Sequence, residues 1–307
     1  MEIVKTRTHK LTVSVIVTVL NEQENISDLL TSLTHQTQKP DELIIVDAGS
    51  TDTTPKTIKL FSQIRFFSHP GNRSTGRNFA IARAKGEIIA ITDAGCIPDP
   101  SWLEELVKPF ADKKIQVVSG YYRGLARSSF EKCLIPYVLV MPDMAGKSEF
   151  FPSTRSMAMR KSVWQNVAKF DERWWHNEDY VYAHTLKSAG ISFRFTPKAV
   201  VSWLPRKNLK TAAWMFMRFA IGDTQAGIIR PQVKRLAVRY TVFAYLLFLN
   251  PWAILLAPPY LIWSIAKNFK YAKVWQARFW LPVLQITADI SVLFGSIVGL
   301  LSRVYGV

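Results

Sequence analysis

Cysteine is nearly absent from this 307-residue chain. Cys96 and Cys133 are too few and too far apart for a disulfide framework or a zinc site, which fits a reducing compartment. Acidic residues are scarce at one end. From Arg206 to Val307 there are 13 basic residues but only two acidic ones, Asp223 and Asp289. So +11 of the net +16 lies in the last third, and the first two thirds are nearly balanced. No recognised nucleic-acid motif accompanies that charge, and there is no internal repeat or low-complexity linker. Charged side chains are missing altogether from Tyr240–Ala266, and Phe279–Ser302 holds only Asp289. Basic and apolar character coincide there, which favours an anionic membrane over nucleic acid as the partner.

Each of those two runs exceeds the roughly 20 residues needed to cross a bilayer. Trp252, Tyr260, Trp263, Trp275 and Trp280 are placed to sit at membrane interfaces. The bland alternative is a pair of buried helices. Two full spans would put Lys267, Lys270, Lys273 and Arg278 on the far side, against the positive-inside tendency. A break at Pro258-Pro259 would instead make the first run re-entrant or interfacial, leaving the second as the single span. Asp289 is a functional candidate because acids inside apolar runs are costly. At the other end, Lys5, Arg7 and Lys10 precede the apolar stretch Leu11–Leu20 and mimic a signal peptide. No small-residue cleavage site follows, and the β-branched stretch reads better as a buried strand.

The first 110 residues alternate strand and helix signals. Val13–Val19, Leu43–Val46, Ile64–Phe67 and Glu87–Thr92 read as strands. Ile26, Leu29, Leu30 and Leu33 repeat at helical spacing behind a candidate cap, Asn25. Gly76–Ala84 reads as a helix, and Asp99-Pro100 as the start of another. Further on, Val117–Tyr122, Phe150–Met159 and Ile191–Phe195 read as strands, and Asp179–Ala189 and Leu209–Ile229 as helices. The expected fold class is α/β: an open, mostly parallel Rossmann-like sheet with helices on both faces, then C-terminal hydrophobic helices.

In such sheets ligands bind beyond the carboxyl ends of the strands. Three strands end in polar, acidic turns: Leu20-Asn21-Glu22, Val46-Asp47-Ala48-Gly49-Ser50, and Thr92-Asp93-Ala94-Gly95-Cys96. Any one is an ordinary turn sequence, but three in register suggest a pocket for a polar ligand.

Six ordered motifs between about residues 11 and 230 resemble the family 2 glycosyltransferases of GT-A type. Val15–Glu22 looks like their opening strand. Val46–Thr54 is similar to their Val-Asp-Asp-Gly-Ser-x-Asp-x-Thr signature. Gly76-Arg77-Asn78-Phe79-Ala80 resembles their Arg-Asn helix start, and Gly86-Glu87 followed by Asp93 the approach to Asp-x-Asp. Phe170-Asp171-Glu172 and Asn177-Glu178-Asp179 resemble the later Phe-Asp-Glu and Glu-Asp elements. The resemblance implies an inverting transfer of one sugar from a nucleotide-diphosphate donor to a lipid-linked or other membrane-proximal hydroxyl. Asn21, Glu22 and Asp47 would line the nucleoside pocket. Arg77 would approach the diphosphate and Asn78 brace the loop. Asp93 would coordinate a divalent cation, Mg²⁺ or Mn²⁺. Asp179 would be the general base, with Glu178 beside it. Arg218 lies on a helix that closes over donor and acceptor in similar enzymes.

Two departures stand out. Asp-x-Asp is here Asp93-Ala94-Gly95, and the paired Asp after the second strand is Asp47-Ala48. A single carboxylate should bind the cation weakly, with His176, His184 or Glu178 as possible further ligands. The Gln-x-x-Arg-Trp motif of processive synthases is absent, which argues for single-sugar transfer. Residues 1–235 would form the catalytic domain on the cytoplasmic face, and 236–307 the membrane-associated helices. Transfer to a polyprenyl phosphate and a catalytically degenerate scaffold are the alternatives.

Overall fold

The computed structural model describes residues 10–147 and 149–305. Lys5 and Arg7 of the signal-like segment lie outside the described residues. The chain divides into two compact units that interleave in sequence. One holds the chain up to Tyr121 with Glu149–Glu172 and Tyr182–Val201, and the other holds Tyr122–Ser148, Arg173–Val181 and Ser202–Val307.

The elements follow in order: β1 (Val13–Val19), α1 (Ile26–Thr34), β2 (Glu42–Asp47), α2 (Thr54–Ile58), β3 (Ile64–Ser68), α3 (Arg73–Arg83), β4 (Ile88–Ile91), β5 (Cys96–Pro98), α4 (Trp102–Val107) and β6 (Val117–Gly124). Then come α5 (Ser129–Val138), β7 (Met157–Arg160), α6 (Lys161–Asn166), α7 (Glu178–Ser188) and β8 (Phe193–Trp203). The strands form one sheet in the order β3-β2-β1-β4-β7-β6-β8-β5. The stretch Leu11–Leu20 thus supplies the buried strand β1. β1 pairs in parallel with β2 and β4, and β2 with β3, whereas β7 runs antiparallel to β4 and β6. Continuous apolar runs suit the parallel half because helices cover both faces. Ile16, Ile44, Val46, Ile89 and Ile91 meet Ala80 and Ile81 of α3 and Tyr182 and Leu186 of α7 in one core cluster.

Several boundaries differ from the sequence pattern, each for a local reason. The expected strand over 150–159 shortens to β7, because Pro152 lacks a donor and Ser156 N bonds back to Ser153 O in a turn. β8 runs on through Pro197, a residue that reads as a breaker. α3 starts three residues early, because the Asn72 side chain accepts from Thr75 N. At α1 Asn25 holds the cap position but makes no side-chain cap bond; the Glu22 carbonyl accepts from Ile26 N instead. α4 begins at Trp102 rather than at Pro100. Gln36 Oε1 accepts from Leu103 N across 67 residues, a cap that local sequence cannot announce.

In the second unit α8 (Leu209–Gln225) is followed by α9 (Pro231–Leu249), a 3₁₀ turn (Pro251–Leu256), α10 (Ala257–Ala272) and α11 (Ala277–Tyr305). The uncharged run Tyr240–Ala266 is therefore not one helix. It breaks at Asn250-Pro251, where the Asn250 side chain accepts from Trp252 N, while Pro258 and Pro259 occupy the first turn of α10, where proline is tolerated. Among the described residues, α11 is the one helix long and apolar enough to cross a membrane. It lies against α8 through small residues: a Cβ at Gly299 would stand 2.0 Å from Thr224 Oγ1.

Candidate active site

The strand order turns around at β1. From β1 the chain builds outward to β2 and β3 on one side and to β4 on the other. Such a switch point leaves a crevice beyond the carboxyl ends of the strands. The loops after β1 and β2 are laced together there. Asn21 takes the left-handed conformation (φ 53°), which Asn tolerates better than most residues. Its Oδ1 accepts from Thr51 N at 2.9 Å, and its own N–H donates to Ser50 Oγ at 2.8 Å. Glu22 N donates to Thr54 Oγ1 at 2.8 Å and Gln23 N to Asp52 Oδ2 at 3.2 Å.

Asp47 sits beneath this lacing, 3% exposed. Its carboxylate accepts from Gly49 N (3.2 Å), Ser50 N (3.0 Å) and Ser50 Oγ (2.5 Å). Asp47 therefore holds the turn that aims Ser50 at Asn21. Asp47→Ala leaves two amides without their acceptor and should cost about 1–3 kcal/mol, seen as a lower urea midpoint. An unchanged midpoint would show that the turn holds without it.

Arg77 and Asp93 come together. Arg77 Nη2 donates to Asp93 Oδ1 at 3.0 Å and to Thr154 Oγ1 at 2.9 Å, and its Cζ stands 5.5 Å from the Phe170 ring centroid. The guanidinium side chain is 1% exposed against 32% for Asp93. Arg77 thus acts from below the crevice, orienting Asp93. Asn78 braces the neighbouring loop: its amide donates to Phe170 O and Glu172 Oε1, and accepts from Trp164 Nε1 and Phe170 N.

Arg155 was not singled out by the sequence pattern. It lies on the turn before β7, where its carbonyl accepts from Thr92 Oγ1 at the end of β4. The Cys96 thiol is raised well above its ordinary range, first by burial and then by the nearby Asp93 carboxylate, while Arg155 opposes the rise. The Arg155 guanidinium donates to Ser153 Oγ at 3.4 Å, and the residue lies beside the end of β4. Only the antiparallel β4–β7 pairing places it there, and the sequence carries no local signal for it. Burial also pushes the Cys133 thiol up to about 11, so neither cysteine is a ready nucleophile.

Of the remaining sequence candidates, His176, Glu178, Asp179 and Arg218 lie in the second unit and His184 in the first. Asn177, in the left-handed region (φ 58°), precedes α7. Its Nδ2 donates to Asp223 Oδ1 of α8 at 2.6 Å. Asp223 also accepts from Arg230 Nε at 2.6 Å and Nη2 at 3.2 Å, and Arg230 Cζ lies 4.1 Å from the Tyr180 ring centroid. Burial opposes the charge on Arg230, but the Asp223 carboxylate outweighs it and raises the guanidinium above its ordinary range. A Cβ at Gly222 would stand 2.4 Å from His176 O, so glycine there permits the close approach. This clamp fixes the first turn of α7. Glu178 is 4% exposed, whereas Asp179 is half-buried and its Oδ1 accepts from Tyr180 N. Arg218 is exposed on α8 with Cζ 5.4 Å from the Trp214 ring, and is bonded to none of the other candidates. Among the described residues no three His, Cys, Asp or Glu side chains form a metal-holding group.

Residues 14–166 match the model of glycosyl transferase family 2. The chain belongs to glycosyl transferase family 2. The chain is 30% identical over 166 residues to glycosyltransferase AglE of Haloferax volcanii, a match covering 51% of this chain and 50% of that protein. It is 26% identical to the O-antigen chain rhamnosyltransferase RfbN of Salmonella typhimurium, over 64% of this chain and 69% of that one. The first match spans about half the length of that curated relative. Among solved structures, a mannosyltransferase of Pyrobaculum calidifontis in complex with GDP-Man and Mn²⁺ superposes with a TM-score of 0.56 at 20% identity, covering 94% of this chain and 88% of that one. Glucosyl-3-phosphoglycerate synthase of Mycobacterium tuberculosis, in complex with Mn²⁺, UDP and phosphoglyceric acid, gives 0.51 at 22% identity, covering 72% and 80%. These likenesses confirm the GT-A fold.

Proposed function

We propose that this glycosyltransferase moves a single sugar, with inversion, from a nucleotide-diphosphate donor to a hydroxyl of a membrane-proximal or lipid-linked acceptor. What carries the proposal is the laced crevice at the β1–β4 switch point, with Glu22 on one side and Asp93 on the other. Acceptors on Asn21 and Glu22, and the turn held by Asp47, suit a base and ribose hydroxyls. Arg155 suits the diphosphate, with Arg77 holding Asp93 in place and Asn78 bracing the loop behind. Asp179 is the general base that takes the acceptor proton, because Glu178 beside it is buried. Arg218 is assigned to the donor-closing face of α8.

A divalent cation fits here as a partner of the donor. Arg77 takes one oxygen of Asp93, and the other, on a side chain 32% exposed, suits one ligand position, the rest falling to phosphate and water. Bound there, a cation would neutralise charge on the departing diphosphate. Without a second protein ligand, its affinity in the absence of donor should be weak.

Residues 1–235 form the catalytic part in this reading, on the cytoplasmic face, and 236–307 the part that meets an anionic membrane. The helix faces of the second unit support the membrane. α11 buries Gln285, Asp289, Gly295, Ser296 and Gly299 beside Ala277, Leu281 and Leu284, while Ile290, Phe294, Ile297, Leu301 and Val304 form an exposed stripe. α10 buries Ser264, Asn268 and Ala272 and exposes Ile262 and Trp263. An apolar outer stripe over buried polar groups is the opposite of what water favours on a helix surface.

Detergent-purified protein should be screened by thermal shift against UDP- and GDP-sugars with and without Mn²⁺. One donor at a hundredfold excess over Kd should add about 2.7 kcal/mol of stability, more with the cation. No shift and no hydrolysis with any donor overturns the proposal in favour of a scaffold.

A further inference from the structure

From Ala237 to Trp263 not one side chain is buried, although all but Arg239 are uncharged. Phe248 is 86% exposed and Trp252 73%, with Leu249, Leu255 and Leu256 each more than half exposed. The apex is the 3₁₀ turn Pro251–Leu256. On either side of it an uncharged helical leg runs to the first cation. Tyr240–Leu249 on α9 and Ala257–Ala266 on α10 are each about 15 Å long at 1.5 Å per residue. Half of a hydrocarbon core about 30 Å thick is the same length.

The cations that end the two legs meet at one place. Arg239 Cζ lies 6.0 Å and Lys267 Nζ 5.0 Å from the Trp263 ring centroid. Trp263 stacks on Tyr260 at 5.5 Å, and Arg239 Cζ is 4.5 Å from the Tyr260 ring. Beneath them Asp289 of α11 is 5% exposed. It accepts from Tyr240 at 3.0 Å, Gln285 at 2.9 Å and Tyr260, with Arg239 Nη2 3.6 Å away. One carboxylate thus pins the wide end of the α9 leg and the apex half of the α10 leg to α11. Two exposed cations share that single acid, and Lys234, Arg235 and Lys273 add exposed charge on the same two helices.

We infer that Tyr240–Ala266 is a wedge that enters one leaflet of an anionic phospholipid bilayer, its apex at Trp252–Leu256 among acyl chains and Arg239 and Lys267 at the level of the lipid phosphates. Aromatic rings at the interface and long cations reaching for phosphate are the expected rim of such a wedge. Charge and depth agree. A segment that turns back within one leaflet keeps Lys267, Lys270, Lys273 and Arg278 on the same side as Arg230–Arg239, so the positive-inside conflict disappears. The inference rests on the membrane reading above and adds to it a depth and a lipid class.

The test uses the full chain with vesicles of phosphatidylcholine, with or without phosphatidylglycerol. Both native cysteines are buried, so nitroxide labels can be placed at Leu249→Cys, Trp252→Cys and Ala266→Cys. Power saturation against oxygen and a water-soluble nickel complex then reads depth. The 249 and 252 labels should lie about 10–15 Å below the phosphates and the 266 label near them. Arg239→Gln/Lys267→Gln should weaken binding to phosphatidylglycerol vesicles roughly tenfold or more, with little change on phosphatidylcholine alone. A nickel-accessible label at 252 with a deep label at 266 would mean a full span, and three equally shallow labels a hairpin lying flat; either overturns the wedge. No binding of the unlabelled protein to any vesicle overturns the membrane reading itself.

Discussion

Asp179→Asn should lower kcat about a hundred- to ten-thousand-fold, the range in which a positioned general base contributes, while donor KM and nucleotide binding stay near their original values. The substitution keeps the volume and an acceptor oxygen at the first turn of α7. It removes the negative charge and with it the ability to take a proton. The Asn177–Asp223–Arg230 clamp has hydrogen bonds of its own, so the turn should keep its place. Stopped assays with the donor selected by thermal shift, alongside calorimetry of the same variant, separate the two quantities. Undiminished turnover would remove Asp179 as the base. It would also favour an acceptor that is already an anion, a polyprenyl phosphate, for which no base is needed. Loss of nucleotide binding together with activity would instead assign Asp179 to donor binding.

The second large effect is one of stability. Asp93→Ala should cost about 2–3 kcal/mol, far more than a partly exposed motif residue normally carries. The reason is asymmetry. Asp93 is 32% exposed, but its partner Arg77 is 1% exposed, so removing the acid takes a carboxylate away from a cation in the interior. Stranding one member of a fully buried pair costs roughly 3–5 kcal/mol. The lower figure here reflects the partial solvation of Asp93 and the Thr154 hydroxyl that remains within 2.9 Å of Arg77. Asp93→Ala combined with Arg77→Met should recover most of the loss, because an apolar side chain of similar length replaces a charge that needs a partner. Urea unfolding of the single and double variants measures this directly. Equal midpoints for wild type and Asp93→Ala would show that Arg77 does not depend on Asp93. A purely metal-binding Asp93 would lose donor affinity without the drop in midpoint.

The two residues show where sequence stops being sufficient. Arg77 and Asp93, sixteen positions apart, are both conspicuous in the chain, but their distance is set by the packing of α3 against β1 and β2. A motif names residue types at intervals along the chain. It does not say whether a guanidinium faces a ligand or the core, and here burial decides for the core.

Asp223 makes the same point from the other side. In sequence it is an isolated acid in a basic region. In space it accepts from Asn177 and Arg230 and fixes the turn that carries Asp179. Gly222 permits that approach, and nothing in the neighbouring residues reveals it. Arg155 likewise reaches the crevice only because β7 pairs antiparallel with β4.

The sequence by itself determined the alternating strands and helices of the first half, the three polar turns at the strand ends, and the basic, apolar tail. Those follow from local causes: side-chain period, turn-forming residues and the absence of charge along a run. Only the tertiary structure decided what each charged group does. It sent Arg77 inward, drew Asp223 to the turn before α7, brought Arg155 beside the end of β4, and gathered Arg239, Lys267 and Asp289 together on the C-terminal helices. It also divided the first uncharged run into two legs at Asn250-Pro251, because a side-chain cap and a proline there outweigh an apolar pattern that continues unbroken. The physical reason is common to all of these. Propensity and periodicity act over a few residues, whereas the cost of burying a charge is settled by partners that the fold brings from far along the chain.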